Sequence, residues 1–169
     1  MTERLDWNDE VPWSERFEDI YYSRSDGLAE SRYVFLQGNR LSEKWQKKNI
    51  FRIGEAGFGT GLNFLATWQL WRETRTQDSW LYFESIEGFP LDRDQLKLIH
   101  QEWKELKTLS KMLLAAKNSS SNLLPDWQNW PEERITLRLH HAEVLPALRA
   151  MQSNQVDAWY LDGFNPKKN

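Results

Sequence analysis

A chain of 169 residues with 40% hydrophobic and 14% aromatic content is long enough for one hydrophobic core, so one globular unit is the expectation. No apolar run approaches the roughly 20 residues that cross a bilayer, Met1 to Asp9 lacks the basic-then-apolar order of a secretory leader, and the absence of cysteine removes disulfides, thiolate nucleophiles and cysteine metal sites, leaving a cytoplasmic location as the default. A formal charge of −3 is not the basic excess of a nucleic-acid-binding chain, and the lysines at Lys44, Lys47 and Lys48 and at Lys167 and Lys168 read first as solvated clusters.

Residues 1–48 read as an N-terminal extension with short elements of its own. Asp26-Gly27 predicts a turn, Leu28 to Leu36 is apolar-rich without a decisive period, and Leu41 to Lys48 reads as a short helix ending in lysines. A core region, 49–169, then alternates strand and helix. Ile50, Phe51 and Ile53 suit a buried parallel strand, while Leu62, Phe64, Leu65, Trp68 and Trp71 recur at helical spacing to about residue 75. Between them Glu55-x-Gly57-x-Gly59-x-Gly61 falls on the turn. Glycine there permits positive φ and lets backbone approach a ligand closely at a helix N-terminus. The spacing is neither the dinucleotide fingerprint nor the phosphate loop, which needs a lysine. A glycine-rich turn without ligand would carry the same residues.

Trp80 to Glu87 predicts a second strand, with Glu87 at its carboxyl end, where a doubly wound sheet presents an acid to a ribose diol. Asp92 and Gln95 form a capping box before a helix whose apolar face is Leu96, Ile99, Trp103 and Leu106. Ser110 to Lys117 reads as a further short helix, and Asn118 to Asn122 as a polar loop. Alternation over Ile135 to His140 predicts a half-exposed third strand, Glu143 to Met151 a helix with Pro146 in its first turn, and Val156 to Leu161 a fourth strand. His140 and His141 read as packed or exposed side chains before a metal pair. The expected architecture is an α/β parallel sheet with right-handed crossovers.

The glycine motif resembles the first motif of S-adenosylmethionine-dependent methyltransferases. Together with Glu87-Gly88-Phe89-Pro90-Leu91, the N-terminal Tyr22 to Glu30 and Tyr33 to Asn39, and the final Leu161-Asp162-Gly163-Phe164-Asn165-Pro166-Lys167-Lys168-Asn169, it is similar over nearly the whole chain to the methyltransferase domain of the bacterial MnmC family of tRNA-modifying enzymes. The resemblance implies a Rossmann-like class I methyltransferase sheet, here incomplete with its first four strands and an N-terminal extension. Further strands are expected beyond Asn169, in some members followed by a flavin-dependent oxidoreductase domain. It implies S-adenosyl-L-methionine as methyl donor and the exocyclic amine of 5-aminomethyl(-2-thio)uridine at the tRNA wobble position as acceptor.

By this resemblance Glu55, Gly57, Gly59 and Gly61 line the methionine end of the cofactor and Glu87 holds its ribose. Ala142-Glu143 stands where family members place Gly-Asp, which puts Glu143 near the adenine. Asp162 is the expected acceptor of the amine's proton, Phe164 a stacking surface for uracil, and Asn165, where family members often carry alanine, an acceptor from the amine. The competing readings are an inert truncated chain and a methyltransferase for a different amine.

Overall fold

The computed structural model describes residues 5–8, 11–14, 19–20, 26–116, 121–151 and 155–162. Leu5–Asn8 (β1), Val11–Ser14 (β2) and Asp19–Ile20 (β3) pair antiparallel in a small sheet that the sequence reading did not anticipate. The segment from Leu28 to Leu36 is helical. Asp26 caps Gly27–Ser31 (α1), its carboxylate accepting from the Ala29 amide at 2.9 Å, and the chain continues as a π-helical turn over Arg32–Gln37. Leu41–Trp45 (α2) follows. Leu28, Leu36, Leu41 and Trp45 are buried in the same core as the main sheet.

That core is built by Ile50–Ala56 (β4), Leu62–Thr74 (α3), Trp80–Ile86 (β5), Arg93–Ile99 (α4), Lys107–Ala115 (α5), Trp127–Trp130 (β6), Ile135–His140 (β7), Val144–Ala150 (α6) and Ala158–Leu161 (β8). The sheet order is β6-β7-β5-β4-β8. Its four parallel strands, numbered along the chain, lie in the order third-second-first-fourth, an order set by these pairings. One strand more than expected is present: β6 pairs antiparallel with β7, after which a turn at Pro131–Glu133 and Arg134 at φ 52° reverse the chain. Its sequence, Trp-Gln-Asn-Trp, is too polar to announce a strand; it forms because it covers backbone groups that β7 would otherwise leave unpaired.

Period two in the strands decides which residues meet α3. Phe51, Ile53 and Glu55 of β4, Phe83 and Ser85 of β5 and Tyr160 of β8 share that face; Gly54, Ile86 and Trp159 share the other with α6. Tryptophans fill the space between layers. Trp45 meets Phe51 and Trp71 edge-on at 5.9 and 5.2 Å, and Trp68 lies 4.4 Å from Trp130.

Two expectations are corrected. The α4 helix stops at Ile99, and Trp103 and Leu106 are buried beyond it, around a 3₁₀ turn at Lys104–Leu106 that leads into α5. The apolar spacing there reports burial rather than a continuous helix, because folding back lets α5 pack on α3. Strand β7 is also more buried than its alternation predicts: Thr136 is enclosed, accepting from the Trp80 indole and donating to Asn129, both at 2.9 Å.

Candidate cofactor and acceptor site

Strands β4, β5 and β8 end together, and the candidate residues stand at or just past those carboxyl ends. Gly57, Gly59 and Gly61 all have positive φ, at 92°, 51° and 76°. The conformation fits glycine because an L side chain there is strained, and at Gly61 a Cβ would stand 2.9 Å from the Phe58 ring. The loop is tied to the strands through the Gly57 amide, which donates to the Ile86 carbonyl at 2.9 Å.

Glu87 lies across the loop. Its Oε2 accepts from the Gly59 amide and its Oε1 from the Phe89 amide, each at 2.8 Å. Both oxygens are thereby oriented, and each keeps lone-pair capacity for a further donor. A narrow, mainly apolar cleft runs from this carboxylate, walled by Phe58, Leu91, Leu96, Leu139 and His141 among others. Glu143 is exposed at the N-cap of α6 and its side chain caps no amide. His140 sits on the opposite side of the sheet, Nε2 2.5 Å from Glu84.

Parallel register sets Glu55 opposite Ser85 on one side and Tyr160 on the other. The Glu55 side chain is fully buried; its carboxylate accepts from Ser85 Oγ at 2.7 Å and from Asn63 Nδ2 at 3.1 Å. Burial pushes its pKa well up, these two hydrogen bonds pull it back, and the charges of Asp162 and Glu87 add to the rise. The same Asn63 Nδ2 donates to Asp162 Oδ2 at 2.7 Å. Asn63 Oδ1 accepts from Ser31 Oγ at 2.6 Å, so the amide orientation is fixed by its neighbours.

Asn63 is held in turn from behind. Its backbone carbonyl accepts from Thr67 Oγ1 at 2.6 Å, leaving the buried Tyr160 hydroxyl to donate to Thr67 at 2.9 Å. Burial pushes the Tyr160 pKa up, which keeps that hydroxyl a donor. Asp162 is raised as well, by burial of its carboxylate first and by the charge of Glu30 against the Asn63 hydrogen bond. The residue as a whole is exposed, and its rise is smaller than that at Glu55.

Glu55, the three glycines, Glu87 and Asp162 thus converge. Phe164 and Asn165 lie outside the described residues. Sequence reasoning gave no role to Asn63, Ser31, Ser85, Thr67 or His100. Asn63 had one signal, an amide in the first turn directly after the glycines; the others announce nothing until the fold collects them. His100 is buried with Nε2 2.8 Å from the Thr60 carbonyl and Nδ1 2.8 Å from Ser110 Oγ. Burial pushes its pKa down to about 4, against the hydrogen bond to Thr60, so a neutral ring links the glycine loop to α5.

Residues 101–169 match a family model described as S-adenosyl-L-methionine-dependent methyltransferase. Among curated relatives, a tRNA 5-methylaminomethyl-2-thiouridine biosynthesis bifunctional protein MnmC of Methylobacillus flagellatus is 43% identical over 169 residues, covering 98% of this chain and 26% of that protein. One from Legionella pneumophila strain Lens is 37% identical over 188 residues, covering 100% and 28%. This chain therefore spans about a quarter of the length of the curated relatives it matches. The crystal structure of MNMC2 from Aquifex aeolicus superposes with a TM-score of 0.66 at 22% identity, covering 99% of this chain and 51% of that one, a likeness of fold.

Proposed function

We propose, for a chain alike over nearly its whole length to the MnmC proteins and carrying an S-adenosyl-L-methionine-dependent methyltransferase match, that it methylates the exocyclic amine of 5-aminomethyl(-2-thio)uridine at the tRNA wobble position. The product is the 5-methylaminomethyl derivative, and the enzyme works in the cytoplasm on tRNA. The observation that carries this reading is the single Asn63 amide that holds both Glu55, beside the glycine loop, and Asp162, at the end of β8. One side chain fixes the distance between the cofactor's acid and the acceptor's acid.

The glycine cradle and the doubly anchored Glu87 fit S-adenosyl-L-methionine, which supplies an electrophilic methyl group on a sulfonium when bound. Glu55, Gly57, Gly59 and Gly61 would hold its methionine end and Glu87 its ribose hydroxyls, with Glu143 adding an acid at the adenine rim. Asp162 has Oδ2 committed to Asn63. Its Oδ1, without a hydrogen-bond partner among the described residues, accepts from the substrate amine, leaving the nitrogen lone pair to attack. The proton released by the methylated amine passes to this carboxylate, whose raised pKa makes it a stronger base than an exposed aspartate. Phe164 and Asn165 would hold the uracil ring and the amine from the following segment. Alignment of amine and methyl supplies much of the rate, so rigid placement of Asp162 matters as much as its basicity.

The test is transfer of a radiolabelled methyl group to tRNA that carries the aminomethyl group and to the same tRNA without it. Label is expected only in the first, at the wobble uridine. Equal labelling of both would overturn the substrate assignment. Loss of cofactor binding in Glu87→Ala checks the cofactor half separately.

A further inference from the structure

Ser31 ends α1, outside the strands that carry the site, and its side chain does not cap the π-helical turn that follows. It reaches across the fold instead: Ser31 is buried, and its Oγ donates to Asn63 Oδ1 at 2.6 Å. A serine at a helix end ordinarily bonds backbone close by, so a hydroxyl committed to a residue 32 positions away holds something other than its own helix. The base for that bond is firm. Leu28 and Leu36 on either side are buried in the main core, and Arg32, the next residue, bonds Gln69 and Glu105 at 2.6 Å each.

The Asn63 amide is held at both ends. Its Nδ2 donates to Glu55 Oε1 at 3.1 Å and to Asp162 Oδ2 at 2.7 Å, while Oδ1 accepts from Ser31. With its oxygen fixed, the amide plane cannot turn about the last side-chain torsion, whose well is otherwise broad, and Asp162 is presented at one angle. A donor on the amide oxygen also polarises the N–H groups and strengthens what they give to the carboxylates. Without the Ser31 hydroxyl, Oδ1 stays buried and loses its donor, and the amide is free to turn. We infer that Ser31 is a positioning residue for methyl transfer: acting through Asn63, its hydroxyl fixes the angle at which Asp162 meets the substrate amine, so the N-terminal extension completes the acceptor side of the site. This role rests on the acceptor function of Asp162 given above and adds to it the group, from outside the sheet, that aims the carboxylate.

The test compares the unsubstituted chain with Ser31→Ala and Ser31→Thr, each shown to be folded by circular dichroism, in single-turnover methyl transfer to aminomethyl tRNA at saturating S-adenosyl-L-methionine. Ser31→Ala is expected to slow transfer about tenfold, as a misaligned reacting group does, with the dissociation constant of S-adenosylhomocysteine unchanged. Ser31→Thr keeps the hydroxyl and should restore most of the rate. In Asp162→Asn, adding Ser31→Ala should slow transfer no further. The carboxyl carbon resonance of Asp162, followed against pH, gives a readout that needs no turnover. Among the described residues, Glu30 of α1 and Glu55 of β4 are the acids whose charges act on or feel this carboxylate, and both are kept in every variant. Asn63 pulls the Asp162 pKa down by donating to its charged form, so in Ser31→Ala the titration midpoint should move to higher pH. A stronger base alone would speed transfer; a slower rate with a higher midpoint is the mark of lost placement. Transfer by Ser31→Ala at the parent rate, or an Asp162 midpoint that does not move, overturns the inference and leaves the function reading standing. So does a loss that Ser31→Thr fails to restore. Absence of transfer by the unsubstituted chain overturns the function reading and this inference with it.

Discussion

Asn63 shows how much one amide is asked to do. It donates to two carboxylates and accepts from a hydroxyl, so removing it strands a buried acid, a partly buried acid and Ser31 at once. Asn63→Ala is expected to cost about 2–4 kcal/mol of folding stability in urea titrations, the range for breaking a buried polar network. Asn63→Asp places a third carboxylate between two others, and its deficit relative to the parent should grow as pH rises through the carboxylate range. At Asp162 the prediction is kinetic. Asp162→Asn keeps the shape but accepts no proton, so the methyl-transfer rate on aminomethyl tRNA should fall by about 10²-fold or more, while the dissociation constant for S-adenosyl-L-methionine changes little.

Elements, more than residues, carry the pH dependence. His100 links the glycine loop to α5 as a neutral ring, with a pKa lowered from 6.5 to about 4. Its folded-state pKa lies below its unfolded one, so its contribution is whole above pH 6.5 and is lost as pH falls toward 4. The difference amounts to about 3 kcal/mol, taking each pKa unit as about 1.4 kcal/mol. Glu55 has the opposite sign: raised on folding, it makes stability fall as pH rises above its ordinary value of 4.5. The two windows overlap, and the pH profile of the parent alone does not separate them. His100→Gln keeps a donor and an acceptor but does not titrate; the stability difference between parent and variant should shrink by about 3 kcal/mol from pH 6.5 to 4. At the turn itself, Gly61→Ala forces a Cβ into αL backbone and against Phe58, and should cost about 1–2 kcal/mol together with weaker cofactor binding.

At the scale of the molecule, the sheet brings together groups from four stretches of sequence: Ser31, the Glu55 to Asn63 loop and helix start, Ser85 with Glu87, and Tyr160 with Asp162. Arg32 fixes the first of these to the helical layer, bonding Gln69 and Glu105 at 2.6 Å each. Ligand held among them binds only the folded chain. S-adenosyl-L-methionine at 100 times its dissociation constant should therefore stabilise the fold by about 2.7 kcal/mol, read as a raised melting temperature that Glu87→Ala abolishes.

Local chemistry made much of this legible. Glycines at alternate positions after an apolar strand announce a positive-φ turn, the Asp92 and Gln95 capping box starts α4, and acids at strand ends face the site because parallel strands present their carboxyl ends together. The sequence by itself determined the four parallel strands with the helices between them, the positive-φ glycine turn and the acids at the strand ends, since each depends on neighbours a few residues away. Only the tertiary structure decided that Asn63 bridges two acids, that β6 pairs with β7, and that α4 ends at Ile99. Those depend on register and burial between segments distant along the chain, for which no local spacing carries a signal.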